Sequence, residues 1–284
     1  MEILRTIKEL KQYIKISKQA GKTIGFVPTM GYLHKGHLSL VEQSKKTTDI
    51  TVVSIFVNSL QFGENEDLDK YPRDEQKDLE VLSNLDVDVV FIPDSKELYP
   101  EGFCSYVNVE GLSEVLCGAS RSGHFRGVCT VVFKLLNLVE PDILFLGQKD
   151  AQQAVIIKRM IKDLDLQADV VVMPIIREEN GLAMSSRNSY FSLEQKQKAC
   201  IIYKSLCKAK DLIEQGVINS SEIKQEIVNI LNQVKELKID YVEIVNLNQL
   251  KPVEVIENNG ILIAVAVFLG KIRLIDNIIL RSSF

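Results

Sequence analysis

The sequence predicts an α/β protein: a Rossmann-like, doubly wound parallel sheet followed by a smaller α+β unit. Three observations carry that prediction. Through the first 176 residues, apolar runs of strand length alternate with helical patterns, the order expected of parallel strands joined by helices. Those runs are continuous in Val, Ile, Leu and Phe rather than interleaved with polar residues, so their strands require cover on both faces. After "REENGLAMSSRNSYFS" the rhythm changes to two helical patterns and then strands, as in an α+β unit. The expected units are residues 1–176 and 177–284.

The elements follow in order. "MEILRTIKELKQYIKISKQ" reads as an amphipathic helix of mixed charge, without the apolar centre of a signal peptide. "TIGFVPT" is the first strand, a helix covers about 37–46, and "DITVVSIFVN" is the next strand. A charged helix near 73–85 leads into the strand "VDVVFIP". "VCTVVFKLLNLVEP" is helical, "DILFLG" a strand, "AQQAVIIKRMIKDL" a helix and "ADVVVMPII" a strand. In the second unit, helices are expected over 193–215 and 220–234. The first of them is capped by Ser192 with Gln195 three residues on. "DYVEIVN" and the pair "ILIAVAVFLG" and "KIRLIDNIIL" are strands, the pair joined by a tight turn at Gly270 and Lys271.

Composition narrows the function classes. Hydrophobic residues at 46% and charged residues at 25% match an ordinary soluble globular protein. A net charge of −4, with no basic stripe carrying interleaved aromatics, argues against nucleic acid as a partner. The longest apolar run, "ILIAVAVFLG", is half the length a membrane span needs. Five cysteines form no C-x-x-C pair and no metal-ligand spacing with the histidines, which fits reduced thiols in the cytoplasm.

No G-x-x-x-x-G-K-[ST] motif occurs, because Ile16 stands where "GKTIG" would need its upstream glycine. G-x-G-x-x-G, G-x-S-x-G and H-E-x-x-H are absent too. What remains is "VPTMGYLHKGHLSLV", which holds two of the three histidines, His34 and His37. If "TIGFVPT" is the first strand, this turn lies at its carboxyl end, where open α/β sheets bind ligands. Gly31 and Gly36 permit close backbone approach. The two imidazoles would sit on the first helical turn, where free N–H groups and the helix dipole favour anions. They would donate to phosphate oxygens, with imidazolium stabilising charge that develops there. Two solvated surface histidines beside a turn are the plainer alternative.

"PTMGYLHKGH" resembles the H-x-G-H signature of the nucleotidylyltransferase superfamily, and its longer form resembles the pantoate–β-alanine ligase family. Later blocks agree in order: "VSIFVNSLQFGENEDLDKYPRD", "SGHFRGVCTVVFKLLNLVEPDILFLGQKDAQQ" and "IIREENGLAMSSRNSYFS" are similar to that family's remaining signatures and, with the first, cover most of residues 24–192. The resemblance implies ATP-dependent condensation of pantoate with β-alanine through a pantoyl-adenylate, with Mg²⁺ on the ATP and a homodimeric enzyme of coenzyme A biosynthesis. It implies that His34 and His37 contact the phosphates, His37 being the acid toward the leaving group. Met30 lines the join between the nucleotide and pantoate sites, with Gly31 on the ATP side and Pro28 on the pantoate side. Lys149 supplies a point charge to phosphate, while Gly147 and Asp150 meet the adenosine. Ile176 contacts adenine, and Met184, Ser185, Ser186 and Arg187 form a mobile phosphate-binding segment. Gln61 and Gln153 bind pantoate through uncharged amides, and Arg121 lies at the β-alanine end.

Two positions depart from the family pattern: Ser59 replaces a proline, and Gln148 replaces an acid, so its side chain receives no role. Asp78 is a candidate Mg²⁺ ligand, a surface helix acid being the plainer reading. His124 and Arg126 have a loop-stabilising role as their alternative to substrate contact. The competing reading is another H-x-G-H nucleotidyltransferase with a different acceptor, which would not need the two glutamines or "GHFRG". A nucleotide sensor without catalysis would be expected to lack His34, His37 or Lys149, and all three are present.

Overall fold

The computed structural model describes residues 1–64, 66–257 and 260–280. The chain opens with a strand, β1 (Glu2–Leu4), before the first helix, α1 (Ile7–Gln19). Thr6 and Glu9 form a reciprocal capping box that starts α1 at Ile7. The sequence pattern instead runs one helix through this start. Three residues are too short for a periodicity to register, and they are held in place by parallel pairing of Glu2 with Val89 and Leu4 with Phe91.

The remaining elements of the first unit are β2 (Ile24–Thr29), α2 (Lys35–Thr47), β3 (Ile50–Ile55), α3 (Glu75–Ser83), β4 (Val89–Phe91), α4 (Ser95–Leu98), α5 (Cys117–Ser120), α6 (His124–Val139), β5 (Ile143–Gly147), α7 (Ala151–Asp163) and β6 (Asp169–Met173). The short helices α4 and α5 carry no periodic signal in the sequence. The six strands pair in parallel in the order β1-β4-β3-β2-β5-β6. The order reverses between β2 and β5, so their carboxyl ends flank a switch point where such sheets bind ligands.

Both faces of this sheet are covered, as the continuous apolar runs require. Phe26, Val52 and Leu144 pack against α1, α6 and α7 through residues such as Leu10, Val132 and Ile157. Their neighbours Val27, Val53 and Phe145 face the other way, onto Leu40 and Val41 of α2 and Leu82 of α3. Burying one such side chain contributes about 1.5–3 kcal/mol, so a strand with both faces buried is fixed in register.

The second unit comprises α8 (Leu193–Ala199), α9 (Ile201–Glu214), α10 (Ser220–Leu231), β7 (Leu237–Asn246), β8 (Ile261–Leu269) and β9 (Ile272–Leu280). The expected Ser192–Gln195 capping box is present, but the expected 193–215 helix is broken at the buried Cys200, which ends α8 and begins α9. The three strands form an antiparallel sheet in the order β7-β8-β9. Gly270 takes φ +61° in the β8–β9 turn, the backbone a two-residue hairpin loop needs. Along β8, Ile263, Val265 and Val267 pack with α9 and α10, while Leu262 and Ala264 pack with Ala151 and Val155 of α7. The small sheet is therefore sandwiched between its own helices and the first unit. Among the described residues, no helix is long and apolar enough to cross a membrane.

Candidate functional site

A cleft of about 240 Å³ opens at the carboxyl ends of β2 and β5. Pro28, Met30, His34, His37, Gln61, Arg121, Gly147, Lys149, Asp150, Gln153, Ile176, Met184, Ser185, Ser186 and Arg187 all line it. Of the residues that the resemblance assigns to the site, Gly31 alone is absent from the lining. It lies behind the loop at φ +79°, and a Cβ there would stand 2.9 Å from Asp78 Oδ2 and from Ile55 Cγ2. Its positive φ and the crowding around it call for glycine in the turn.

The histidine turn is built from backbone bonds. His34 is the N-cap of α2, which begins at Lys35 and so includes the expected start at 37. Gly36 N donates to His34 Nδ1 (3.1 Å), and His34 N donates to His37 Nδ1 (3.3 Å). Each Nδ1 is thus an acceptor, so in neutral imidazoles the proton is on Nε2. The rings lie 4.0 Å apart between centroids, tilted by 31°. A Cβ on residue 36 would meet the His34 ring at 2.9 Å, which is why glycine stands between the histidines.

Burial, followed by the positive charge of Lys149, lowers the His34 pKa to about 4. Burial, with His34 and Lys149 adding to it, holds His37 well below its ordinary value. This corrects the imidazolium expectation. A low-dielectric pocket that already holds Lys149 disfavours further positive charge, which favours both rings as neutral Nε2–H donors.

Asp78 anchors this turn from α3. It is only 2% exposed, and its two oxygens accept from Tyr32 N and Leu33 N, each at 2.7 Å. Tyr32 adopts φ +52°, a conformation costing about 1 kcal/mol or more outside glycine. The carboxylate compensates by meeting two otherwise buried N–H groups. Burial, opposed by those two bonds, raises the Asp78 pKa. It is therefore not the surface acid that its position in the sequence suggested, and both its oxygens already serve backbone N–H groups. The signal available was its place on a helix after "YPRD", which does not reveal a contact made 45 residues away.

The residues around Gln61 are equally ordered. Asn58 Nδ2 donates to Gln61 Oε1 (3.1 Å) and to Gly127 O (3.1 Å), while its Oδ1 accepts from Tyr99 (2.7 Å). That leaves Gln61 Nε2 directed at Met30 Sδ (3.2 Å) in the cleft. A Cβ on Gly127 would strike Leu60 O at 2.2 Å, so the glycine of "GHFRG" lets α6 close onto the Gln61 turn. Asn58 and Gly127 were missed in the sequence because each is meaningful only against a distant partner. Gln153 also borders the cleft, and its amide makes no side-chain hydrogen bond among the described residues.

The two arginines are paired. Arg121 binds Glu66 through Nε (2.7 Å) and Nη2 (2.6 Å), and Arg187 binds Asp67 through Nε (2.8 Å) and Nη2 (2.6 Å). Against burial that would raise them, these guanidinium groups keep both carboxyls below the ordinary range. His124 Nε2 accepts from Arg121 Nη1 (2.9 Å), which fixes its proton on Nδ1, where it donates to Gln61 O (2.8 Å). Burial and Arg121 lower its pKa to about 4. Arg126 lies over the Tyr106 ring at 3.9 Å and does not line the cleft. Ser185 Oγ accepts from Arg187 N (3.3 Å), and Ser186 Oγ donates to Tyr32 O (3.2 Å), tying this segment to the histidine turn. Gly147 has open space where a Cβ would stand, and Lys149 Nζ lies 3.7 Å from Asp150 Oδ1. Among the described residues, no group of three or more His, Cys, Asp or Glu could hold a metal ion.

Comparison with known proteins bears on this arrangement. The chain is 52% identical to the pantothenate synthetase of Acetivibrio thermocellus over 281 residues, 99% of this chain and 100% of that protein. It is 54% identical to the pantothenate synthetase of Fervidobacterium nodosum over the same shares. The crystal structure of pantothenate synthetase from Thermus thermophilus superposes with a TM-score of 0.92 at 41% identity, covering 98% of this chain and 99% of that one. Pantoate-beta-alanine ligase from Francisella tularensis, complexed with beta-gamma ATP and beta-alanine, superposes with a TM-score of 0.82 at 35% identity, covering 100% and 99%. The sequence profile of Pantoate-beta-alanine ligase matches residues 2–279, and the chain belongs to that family.

Proposed function

We propose that this protein joins pantoate to β-alanine with ATP, through a pantoyl-adenylate, in the cleft described above. A pantoate carboxylate oxygen attacks the α-phosphorus as the bond to pyrophosphate breaks. The β-alanine amine then attacks the acyl carbon, loses a proton and expels AMP. One observation carries this reading. Two Nε2–H donors, Lys149 and two amides suited to a hydroxy acid face a single cleft at the switch point.

His34 and His37 donate to phosphate oxygens from positions fixed before substrate arrives, which stabilises developing charge without reorganisation. His37 acts here as a neutral donor. Lys149 and Arg187 neutralise the triphosphate, Arg187 after leaving Asp67. Met30, Gly147, Asp150, Ile176 and Met184 receive the nucleotide, with Ser185 and Ser186 on its phosphates. Pro28, Met30, Gln61 and Gln153 receive pantoate, and Arg121 meets the β-alanine carboxylate. Mg²⁺ belongs to the same proposal and would offset the charge of the triphosphate. Asp78 has both oxygens engaged, whereas Asp150, half exposed at the cleft, fits an ion that takes most ligands from phosphate and water. The unit 177–284 is read as a lid over the cleft. A cytoplasmic homodimer completes the proposal, and five free cysteines support the reducing compartment.

The test is AMP release from ATP, Mg²⁺ and pantoate with and without β-alanine. AMP matched by pantothenate, and dependent on β-alanine, is expected. Turnover with an amine other than β-alanine would favour the alternative, an H-x-G-H nucleotidyltransferase with another acceptor.

A further inference from the structure

Asn277 lies on β9, far along the chain from the cleft it serves. It is 3% exposed, and its side chain is fully used. Nδ2 donates to Gln148 O and to Lys149 O, each at 3.0 Å, and Oδ1 accepts from Gln148 Nε2 at 3.2 Å. That network fixes which end of the amide is nitrogen. It also gives Gln148 a use that its sequence context did not suggest. Asn277 pairs across the sheet with Ala264, which packs with Ala151 and Val155 of α7. The amide thus projects from a docked strand onto the turn that precedes α7.

Its neighbour faces the opposite way. Asp276, also 3% exposed, pairs across with Val265, on the face covered by α9 and α10. It binds Arg177 through two bonds of 2.6 and 2.9 Å, and Asn277 N donates to Asp276 Oδ1 (2.8 Å). Arg177 follows Ile176, donates to Gly181 O (3.1 Å) and lies over the Tyr203 ring at 3.7 Å. Two adjacent residues of β9 therefore hold the Gln148–Lys149 turn on one side and the segment leading to Ser185 on the other.

Asn277 is not among the residues lining the main cleft; it borders an adjoining cavity of about 50 Å³ that shares Arg121, His124, Lys149, Asp150 and Gln153 with the cleft. The hydrogen bonds of its side chain all go to that turn. We propose that Asn277 is a positioning residue for Lys149, which sets the lysine against the triphosphate in adenylate formation. The inference rests on the function proposed above. Lys149 has a long, flexible stem, so its charge is placed only as well as its backbone is held. Displacements near 1 Å at such groups cost about 10²-fold in rate.

The experiment uses the full-length protein and pantoate-dependent ATP–pyrophosphate exchange, which reads the first half-reaction alone. Asn277→Ala should slow exchange about ten- to a hundredfold, with the pantoate KM unchanged. The second half-reaction, from supplied pantoyl-adenylate and β-alanine, should keep its parental rate. In a Lys149→Ala background the same substitution should add nothing, because both changes remove one effect. Asn277→Asp preserves shape and turns a carboxylate toward two carbonyl oxygens, so it should slow exchange at least as much. That variant decides the matter if the alanine variant fails to fold. Additive losses in the double variant, equal slowing of both half-reactions, or parental exchange in Asn277→Asp would overturn the inference alone. Parental exchange in Lys149→Ala would overturn the phosphate role of Lys149, and the inference with it.

Discussion

The histidine turn and the two arginines both present donors to anionic oxygen, but in opposite states of readiness. His34 and His37 are fixed by bonds to backbone on the first turn of α2, and the loop is held below by Asp78. Arg121 and Arg187 already hold Glu66 and Asp67, two consecutive acids of one loop. In the function proposed above, substrate displaces those carboxylates. The difference teaches that preorganisation here comes from neutral groups in a buried turn. The full positive charges are held by internal counter-ions, because an unpaired guanidinium in a half-buried cleft is costly.

Removing a member of the fixed set should produce the largest change. His37→Ala should cut adenylate formation by about 10²–10³-fold, the usual loss for one preorganised donor, while ATP binding by calorimetry changes far less. Equal losses in both would mean that His37 serves ground-state binding. Asp78→Ala leaves two buried N–H groups unpaired, and at about 1–3 kcal/mol each it should lower urea stability by a few kcal/mol. Asp78→Asn, which keeps one acceptor, should cost less. If the two variants are equally stable, the turn does not depend on those bonds.

Acid sharpens the comparison next. A histidine whose pKa falls on folding takes up its proton more readily when unfolded. Its contribution is complete above the unfolded value near 6.5 and is lost as pH falls toward the folded value. With folded values of about 4 for His34 and His124, each should cost about 2 kcal/mol of stability between pH 7 and pH 5. His124→Asn should flatten that slope, and an unaltered slope would remove His124 from the account. Gln153→Ala should raise the pantoate KM about tenfold, the worth of roughly one hydrogen bond, and leave the ATP KM alone. A shift in the ATP KM instead would move Gln153 to the nucleotide side.

The smallest effect tests the paired set. Asp67→Asn should lower the ATP KM about two- to fivefold, since a partly exposed ion pair contributes about 1 kcal/mol at most. A raised KM would show that Asp67 helps to place Arg187 rather than competing for it.

Much of this was legible in the chain itself. Strand–helix alternation and continuous apolar runs determine a covered parallel sheet, because a strand without a polar face cannot meet water. The Ser192–Gln195 box and the Gly270 turn are local, and both stand where the sequence put them. The lining residues were found by motif, since His34, Lys149 and Arg187 lie in short recognisable blocks. Tertiary structure decided the rest. Gly36 makes room for a ring that only the folded turn brings over it. Asp78 looks like any acid on a helix until Tyr32 and Leu33 meet it, and Asn277 like any strand residue until β9 docks on the turn after β5. The charge state of the histidines likewise depends on burial beside Lys149. Periodicity and caps act within a few residues, whereas these assignments depend on which distant groups share a dry environment, and the packed fold alone sets that.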